Sequence, residues 1–453
     1  MTTRFPFGLA PLMILLVAVV TGAGVWLTHG RYGHVEADLV VATHARLHAD
    51  IYRAKLPIFE KKYGVKVKVQ EIEESALRSR LLAAFAAGTE VPDVVEIPQN
   101  PAYFLRGPIK DIGFLDLTDW VHETGLDERL VASRFSLWRR KGVIFGLPHD
   151  VHPVMLAYRA DIVEGELGID VTTIKTWADF VAMAQMISRD QNGDGQPDRY
   201  ALELATDGGD MLSMLMLQRG VDLFDAEDRV VFDQPAAVDV VMWYLRALYG
   251  PERFGYGLGF GQALWQGMSD GLVLFYMTPD WRTRTSEQYA PGLAGKMKVM
   301  PLPAWEPGGR RTTTWGATGG AVTKRSRNPE LARELLAFLY ADQTDGGKSA
   351  AELHILPPSR DAWTSAEFDR TYPFYSDQPI MRLYAELADE VPPSFATPFT
   401  EKARGKRNEA FINCGAYYRE HGEEGLREFV AAELKRQADV VRALMARTII
   451  TEQ

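Results

Sequence analysis

The chain is nearly devoid of cysteine: Cys414 is the only one in 453 residues. That excludes an internal disulfide framework and any cysteine-based zinc site. With no His or basic partner nearby in sequence, Cys414 reads as a buried thiol, not a nucleophile. Positive charge is also short. Fifty Lys and Arg against 60 Asp and Glu leave a net charge of -10, which argues against nucleic acid and against docking on an acidic membrane. There is no Gly-x-Ser-x-Gly elbow, no phosphate loop and no HExxH pattern. Residues 255–261 form a glycine-studded aromatic loop, but no strand precedes it and no phosphate turn follows, so a dinucleotide is not expected there. Carboxylates are plentiful, yet no pair stands out as a glycosidase acid and base. Repeats and low-complexity tracts are missing as well.

Only one long apolar run exists, residues 7–27, preceded by Arg4 and free of Lys or Arg inside. Its length suits a bilayer core. It is either a signal peptide, with Thr21-Gly22-Ala23 as a passable cleavage site, or an uncleaved anchor. The apolar continuation through Val25-Trp26-Leu27 favours the anchor, since Trp suits a membrane interface. Without a cysteine near its end, lipid attachment is excluded. Both readings place the remainder outside the cytoplasm.

What is present is enough apolar sequence for two cores: 46% of residues are hydrophobic and 24% charged. The order strand (38–43), helix (49–63), strand (65–72), helix (75–87), strand (93–97) predicts a parallel α/β unit. Pro57 is expected to bend or restart the first helix. Ligands of such sheets lie beyond the carboxyl ends of the strands, which marks His44, Arg46, Gln99 and Asn100. Residues 141–179 form a crossover. Strands at 143–145 and 154–158 flank the polar, proline-bracketed His149, Asp150 and His152. Residues 161–170 loop, and Thr176 caps the next helix. Further on, a Met-rich helix at 211–218 reads as core. Strands are expected at 200–204, 272–277, 298–302 and 315–322, and helices dominate after residue 366.

One loop offers cation chemistry. Asp190, Asn192, Asp194, Gln196 and Asp198 present oxygens on alternate positions around Gly195, as Ca²⁺ requires. Ala201 stands where an EF-hand has its bidentate Glu, and Asn-Gly and Asp-Gly are also plain turn signals. A zinc motif is not formed by His149 and His152, because no third ligand lies nearby in sequence. The remaining candidates are rings and polar groups at strand ends: His149, Asp150, His152, Trp281, Trp315 and Phe395 or Phe399. Rings stack on the apolar faces of sugars while carboxylates, amides and imidazoles fix the hydroxyls.

Short motifs in a specific order carry a resemblance. They are Val91-Pro92-Asp93-Val94-Val95, Gly146-Leu147-Pro148, Leu156-Ala157-Tyr158-Arg159-Ala160-Asp161, Thr176-Trp177-Ala178-Asp179-Phe180, Gly271 with Pro279-Asp280-Trp281, Met300-Pro301-Leu302-Pro303, Gly319-Gly320-Ala321-Val322 and Asn328-Pro329-Glu330-Leu331-Ala332. Together they resemble the extracytoplasmic solute-binding proteins of carbohydrate ABC transporters, the family that includes maltose-binding protein. The resemblance implies a two-lobed α/β periplasmic-binding-protein fold of class II type, with discontinuous lobes joined by crossing strands. Residues 1–35 would be the anchor or signal. Lobe one would take 36–152 with 315–366, and lobe two 153–314 with 367–453. It further implies a non-enzymatic protein that needs no cofactor, binds a sugar in the interlobe cleft, and delivers it to a membrane ABC permease. His44, Arg46, Gln99 and Asn100 fall at frequent contact positions. His152 falls at an acidic cleft position, Trp281 at a stacking Trp with Asp280 before it as a hydroxyl acceptor, and Phe399 near a late stacking aromatic. Arg159 replaces the Asn common in the family, and the family's lipoprotein Cys is missing.

Overall fold

The computed structural model describes residues 37–98, 101–105, 107–190, 193, 197–342 and 347–447, with isolated positions between 13 and 21. Strand and helix alternate from the start: β1 (Leu39–Thr43), α1 (Arg46–Tyr63), β2 (Val67–Glu71), α2 (Glu74–Ala87) and β3 (Val94–Pro98). β1 pairs in parallel with both β2 and β3. A two-stranded hairpin, β4 (Arg139–Arg140) and β5 (Val143–Ile144), precedes β6 (Leu147–Pro148). Next come β7 (Val154–Arg159), α3 (Trp177–Ile187), β8 (Tyr200–Glu203), α4 (Gly209–Gln218), α5 (Pro235–Tyr249) and β9 (Gly255–Tyr256). They are followed by α6 (Gln262–Asp270), β10 (Val273–Pro279), α7 (Asp280–Tyr289) and β11 (Met297–Pro301). β12 (Thr318–Val322), α8 (Pro329–Tyr340), α9 (Thr400–His421) and α10 (Leu426–Arg447) complete the longer elements.

These strands build two separate sheets, ordered β2-β1-β3-β12-β6 and β11-β7-β10-β8-β9. The chain therefore crosses from the first sheet to the second after β6 and returns after β11. Each sheet is covered on both faces, which explains why β7 and β10 are buried along their whole length. Leu39, Val94 and Leu336 pack on one face of the first sheet, and Ala42, Val95 and Trp138 on the other. On the second sheet, Leu156, Leu215, Phe411 and Val441 share one core cluster. Leu356 and Ala362 pack with Met155 and Tyr276 in the other. The chain is thus back on the second sheet well before the 366 boundary expected from sequence, because its apolar side chains from Leu356 onward fit that sheet's open face.

Local chemistry accounts for several element ends. Thr176 Oγ1 accepts from Asp179 N at 3.2 Å and Asp179 Oδ2 accepts from Thr176 N at 2.8 Å, a reciprocal capping box that starts α3. α1 runs unbroken through Pro57. Pro57 and Arg53, on either side of the lost hydrogen bond, are both exposed, so the freed carbonyl is open to solvent and the helix continues without a restart. Residues Asp161–Glu166, expected as loop, wind into a π-helical turn. The strand expected at 315–322 is shorter, since residues before Thr318 belong to the crossing. Among the described residues no helix is long and apolar enough to cross a membrane. The apolar stretch at 7–27 lies almost wholly outside them, so the expected N-terminal membrane helix is not supported here.

Candidate functional site

The two crossing segments run side by side and form the floor of a cleft between the sheets. Val154 N donates to Thr313 O at 3.1 Å, and His149 N to Thr318 O at 2.8 Å. Their closest approach constrains the backbone. His152 has φ +54°, and Gly316, at φ +99°, faces it so tightly that a Cβ there would lie 3.2 Å from His152 Cδ2. Glycine is required at that point for both conformation and space. Above the floor lies a cavity of about 570 Å³. His44, His48 and Pro98 line it from the first sheet, Asp210, Phe260 and Trp281 from the second, and His152 and Trp315 from the crossings. A narrower recess shares Asp210, Trp315 and Gly316 with it and adds Arg134, Phe395 and Arg407.

Beneath the cavity the floor is a chain of imidazoles and carboxylates. Glu96, fully buried in β3, accepts from Thr43 Oγ1 at 2.6 Å, His48 Nδ1 at 3.0 Å and Tyr340 OH at 3.3 Å, and also from Tyr52 OH. Burial alone would raise its pKa, but the His48 charge and the neighbouring imidazoles hold it well below the usual carboxylate range. Burial opposes the charge on His48, yet Glu96 outweighs it and raises that pKa. The His149 ring lies 4.3 Å from His48, and its pKa is lowered by burial and by its charged neighbour. His152 sits between two acids, with Nε2 3.1 Å from Asp150 Oδ2 and Nδ1 2.6 Å from Asp280 Oδ1. Burial disfavours its imidazolium, but the two carboxylates reverse the balance and raise its pKa to about 10. Asp150 is correspondingly held low against its own burial. The remaining lone pairs are taken up: Asp150 Oδ1 accepts from Thr318 N at 3.0 Å and Asp280 Oδ2 from Leu356 N at 2.6 Å.

The opposite wall is aromatic. Trp281 and Trp315 meet at 5.5 Å between ring centroids, and Phe260 stands 6.0 and 5.7 Å from them. Trp281 Nε1 donates to Trp315 O at 3.1 Å, which fixes both rings. Phe260 is 57% exposed. Behind the rings the buried Arg282 guanidinium lies 4.8 Å from the Phe260 centroid and 5.1 Å from Trp315. Such a cleft holds a ligand that has flat apolar faces and many hydroxyls.

Of the residues marked from sequence, His44, His152, Trp281 and Trp315 line the cavity. His149, Asp150 and Asp280 sit in the network below it, where they set charge and shape more than they touch a ligand. Arg46 is exposed at the start of α1 and is not among the lining residues. Phe399 packs against the second sheet's core, and it is Phe395 that faces the recess. Phe395 is held there because its N–H donates to Asp222 Oδ2 at 2.9 Å. Gln99 and Asn100 lie outside the described residues, as do Asn192, Asp194 and Gln196 of the cation loop. In that loop Asp190 Oδ1 accepts from Gly193 N at 2.7 Å, an ordinary turn bond. Sequence reasoning missed Glu96, His48 and Phe260. The available signal for Glu96 was an acid inside an otherwise apolar buried strand, Val94-Val95-Glu96-Ile97.

Comparison with known proteins fits this architecture. Arabinooligosaccharide-binding proteins of Halalkalibacterium halodurans and Bacillus subtilis are 27% and 26% identical, covering 78% and 85% of this chain and 79% and 88% of their own. The sugar-binding protein MalE of Xanthomonas citri shares the fold with a TM-score of 0.72 at 18% identity, covering 90% of this chain and 99% of that one. Residues 43–345 match the family described as bacterial extracellular solute-binding protein. That match takes in the crossing strands and most of both sheets, and the chain belongs to this family of extracytoplasmic binding proteins.

Proposed function

We propose that this protein captures a sugar or oligosaccharide in the cleft between its two sheets and hands it to a membrane ABC permease. The observation that carries this is the facing of Phe260, Trp281 and Trp315 across the cavity from His44 and His48. Rings supply stacking surface and the imidazoles supply hydroxyl partners, in a volume of about 570 Å³ that suits a small ligand. Arabino-oligosaccharides are the first ligands to try, given the names of the curated relatives. Residues 7–27 are proposed as an uncleaved anchor that keeps the protein beside its permease. The loop carrying Asp190, Asn192, Asp194, Gln196 and Asp198 is proposed as a weak Ca²⁺ site, an idea that a calcium titration without heat would end.

A thermal-shift panel of saccharides run beside a glycan-hydrolysis assay tests the main reading. A rise in melting temperature without turnover supports it, because a ligand that binds only the native state stabilises it by mass action. Turnover would instead indicate an enzyme reusing the fold.

A further inference from the structure

We propose that His48, Glu96 and His149, with His44 as a fourth donor, bind a divalent transition metal of the zinc class beneath the cleft floor. Donor atoms of the first three lie within 4.8 Å of one another. His48 Nδ1 is 3.0 Å and His44 Nδ1 3.4 Å from the same Glu96 Oε1. Ligands about 2 Å from a tetrahedral zinc stand roughly 3.3 Å apart, so these contacts already have ligand spacing. The donors of His48, Glu96 and His149, now within 4.8 Å of one another, have to draw in to that spacing, with the His149 ring swinging toward the pair.

The surroundings are those of a ligand set. Tyr52, Tyr340 and Thr43 hydrogen-bond the carboxylate of Glu96. Asp150 Oδ2 approaches His149 Nδ1 at 3.4 Å, which orients that ring and leaves Nε2 as the donor. Carboxylates and hydroxyls that hydrogen-bond the ligands in this way fix them in place around a metal. A plain ion pair between Glu96 and His48 explains two residues only. It leaves His44 Nδ1 with only a long 3.4 Å approach to Glu96 Oε1, outside good hydrogen-bond geometry. A metal engages every donor. Three imidazoles and one carboxylate, with no thiolate, suit zinc and its neighbours over calcium or magnesium. The metal takes the place of the proton between His48 and Glu96, and through His149 it ties the first crossing segment to the first sheet. His44 and His48 also line the cavity; with Nδ1 on the metal, each keeps its Nε2–H for a cleft ligand.

The test uses the full chain stripped with a chelator, Co²⁺ as spectroscopic probe and Zn²⁺ in calorimetry. One Zn²⁺ per chain, visible Co²⁺ bands and a higher melting temperature with Zn²⁺ are expected. Losing even a residue that only orients a ligand costs metal sites about 10–100-fold in affinity, so His149→Gln should lose at least that while keeping its metal-free melting temperature. His122→Ala, at an exposed His–Asp pair, should bind as the parent does. Absence of Co²⁺ bands, unchanged affinity in His149→Gln, or loss of binding in His122→Ala would overturn the proposal.

Discussion

Glu96 and Glu203 occupy comparable places in the two sheets and meet opposite fates. Each interrupts an apolar strand, each is fully buried, and each belongs to the strand layer that borders the cleft. Glu96 is surrounded by donors and is held ionised, far below its ordinary range. Glu203 has no hydrogen-bond partner for either oxygen among the described residues. Burial raises its pKa to about 7, and the Arg282 charge with the nearby backbone N–H groups of Gly259 and Leu258 offsets only part of that. Burial is common to both, so the donors decide. The first sheet carries a charged, rigid floor, while the second carries an aromatic wall over a carboxyl poised near neutrality.

The largest expected effect falls on the charged side. Replacing Glu96 by Gln in chelator-treated protein leaves a buried imidazolium unpaired and should cost about 3–5 kcal/mol in urea unfolding. His152→Ala should cost a similar amount, because Asp150 and Asp280 then lose the cation bonded to both, with only the buried Arg134 left nearby. If either substitution proves neutral, the floor is not the charged network described. Glu203→Gln should act in the opposite sense. The folded pKa of Glu203 lies above its ordinary value, so the native state binds the extra proton and stability falls as pH rises from 4.5 to about 7. A tenfold difference in proton affinity between folded and unfolded chain is worth about 1.4 kcal/mol. On that scale Glu203→Gln should be more stable than the parent at pH 8 by roughly 3 kcal/mol, and no more stable at pH 4. Equal pH profiles for parent and variant would erase the contrast between the two glutamates.

Smaller effects separate ligand binding from stability. Trp281→Ala should weaken saccharide binding by about 1–3 kcal/mol, roughly what a large apolar side chain gains on burial, with little change in melting temperature. Thr176→Ala, far from the cleft, should lose the α3 cap and about 1 kcal/mol of stability, with ligand affinity unchanged. Reversal of those two outcomes would place Trp281 in the core and not in the site.

Fold and site differed in how far they could be read from sequence. Alternating strands and helices, the Thr176-Trp177 helix start and the Pro148 to Val154 crossing are local patterns, and the structure places elements where they predict. Trp281 and Trp315 were also legible, because rings at strand ends surface near a cleft. The charged floor was not. His48 and Glu96 are 48 positions apart, and His152 and Asp280 are 128 apart, so their pairing exists only after folding. A buried acid in a strand does not say which donors will reach it, or, as Glu203 shows, whether any will. Phe399 was misplaced for a related reason. The late proline-rich loop takes its register from the Asp222 contact to Ser394 and Phe395, which no local pattern encodes. The restart expected at Pro57 does not occur, since the helix continues through it on an exposed face.

Calorimetric titration of arabino-, malto- and galacto-oligosaccharides into the full chain and into a Trp281→Ala, Phe260→Ala double variant addresses the central claim directly. The account predicts saturable one-to-one binding of at least one saccharide to the parent and a loss of about tenfold or more in the variant, roughly the affinity equivalent of the Trp281 effect alone. No saturable heat with any saccharide, or undiminished affinity in a folded double variant, would contradict it.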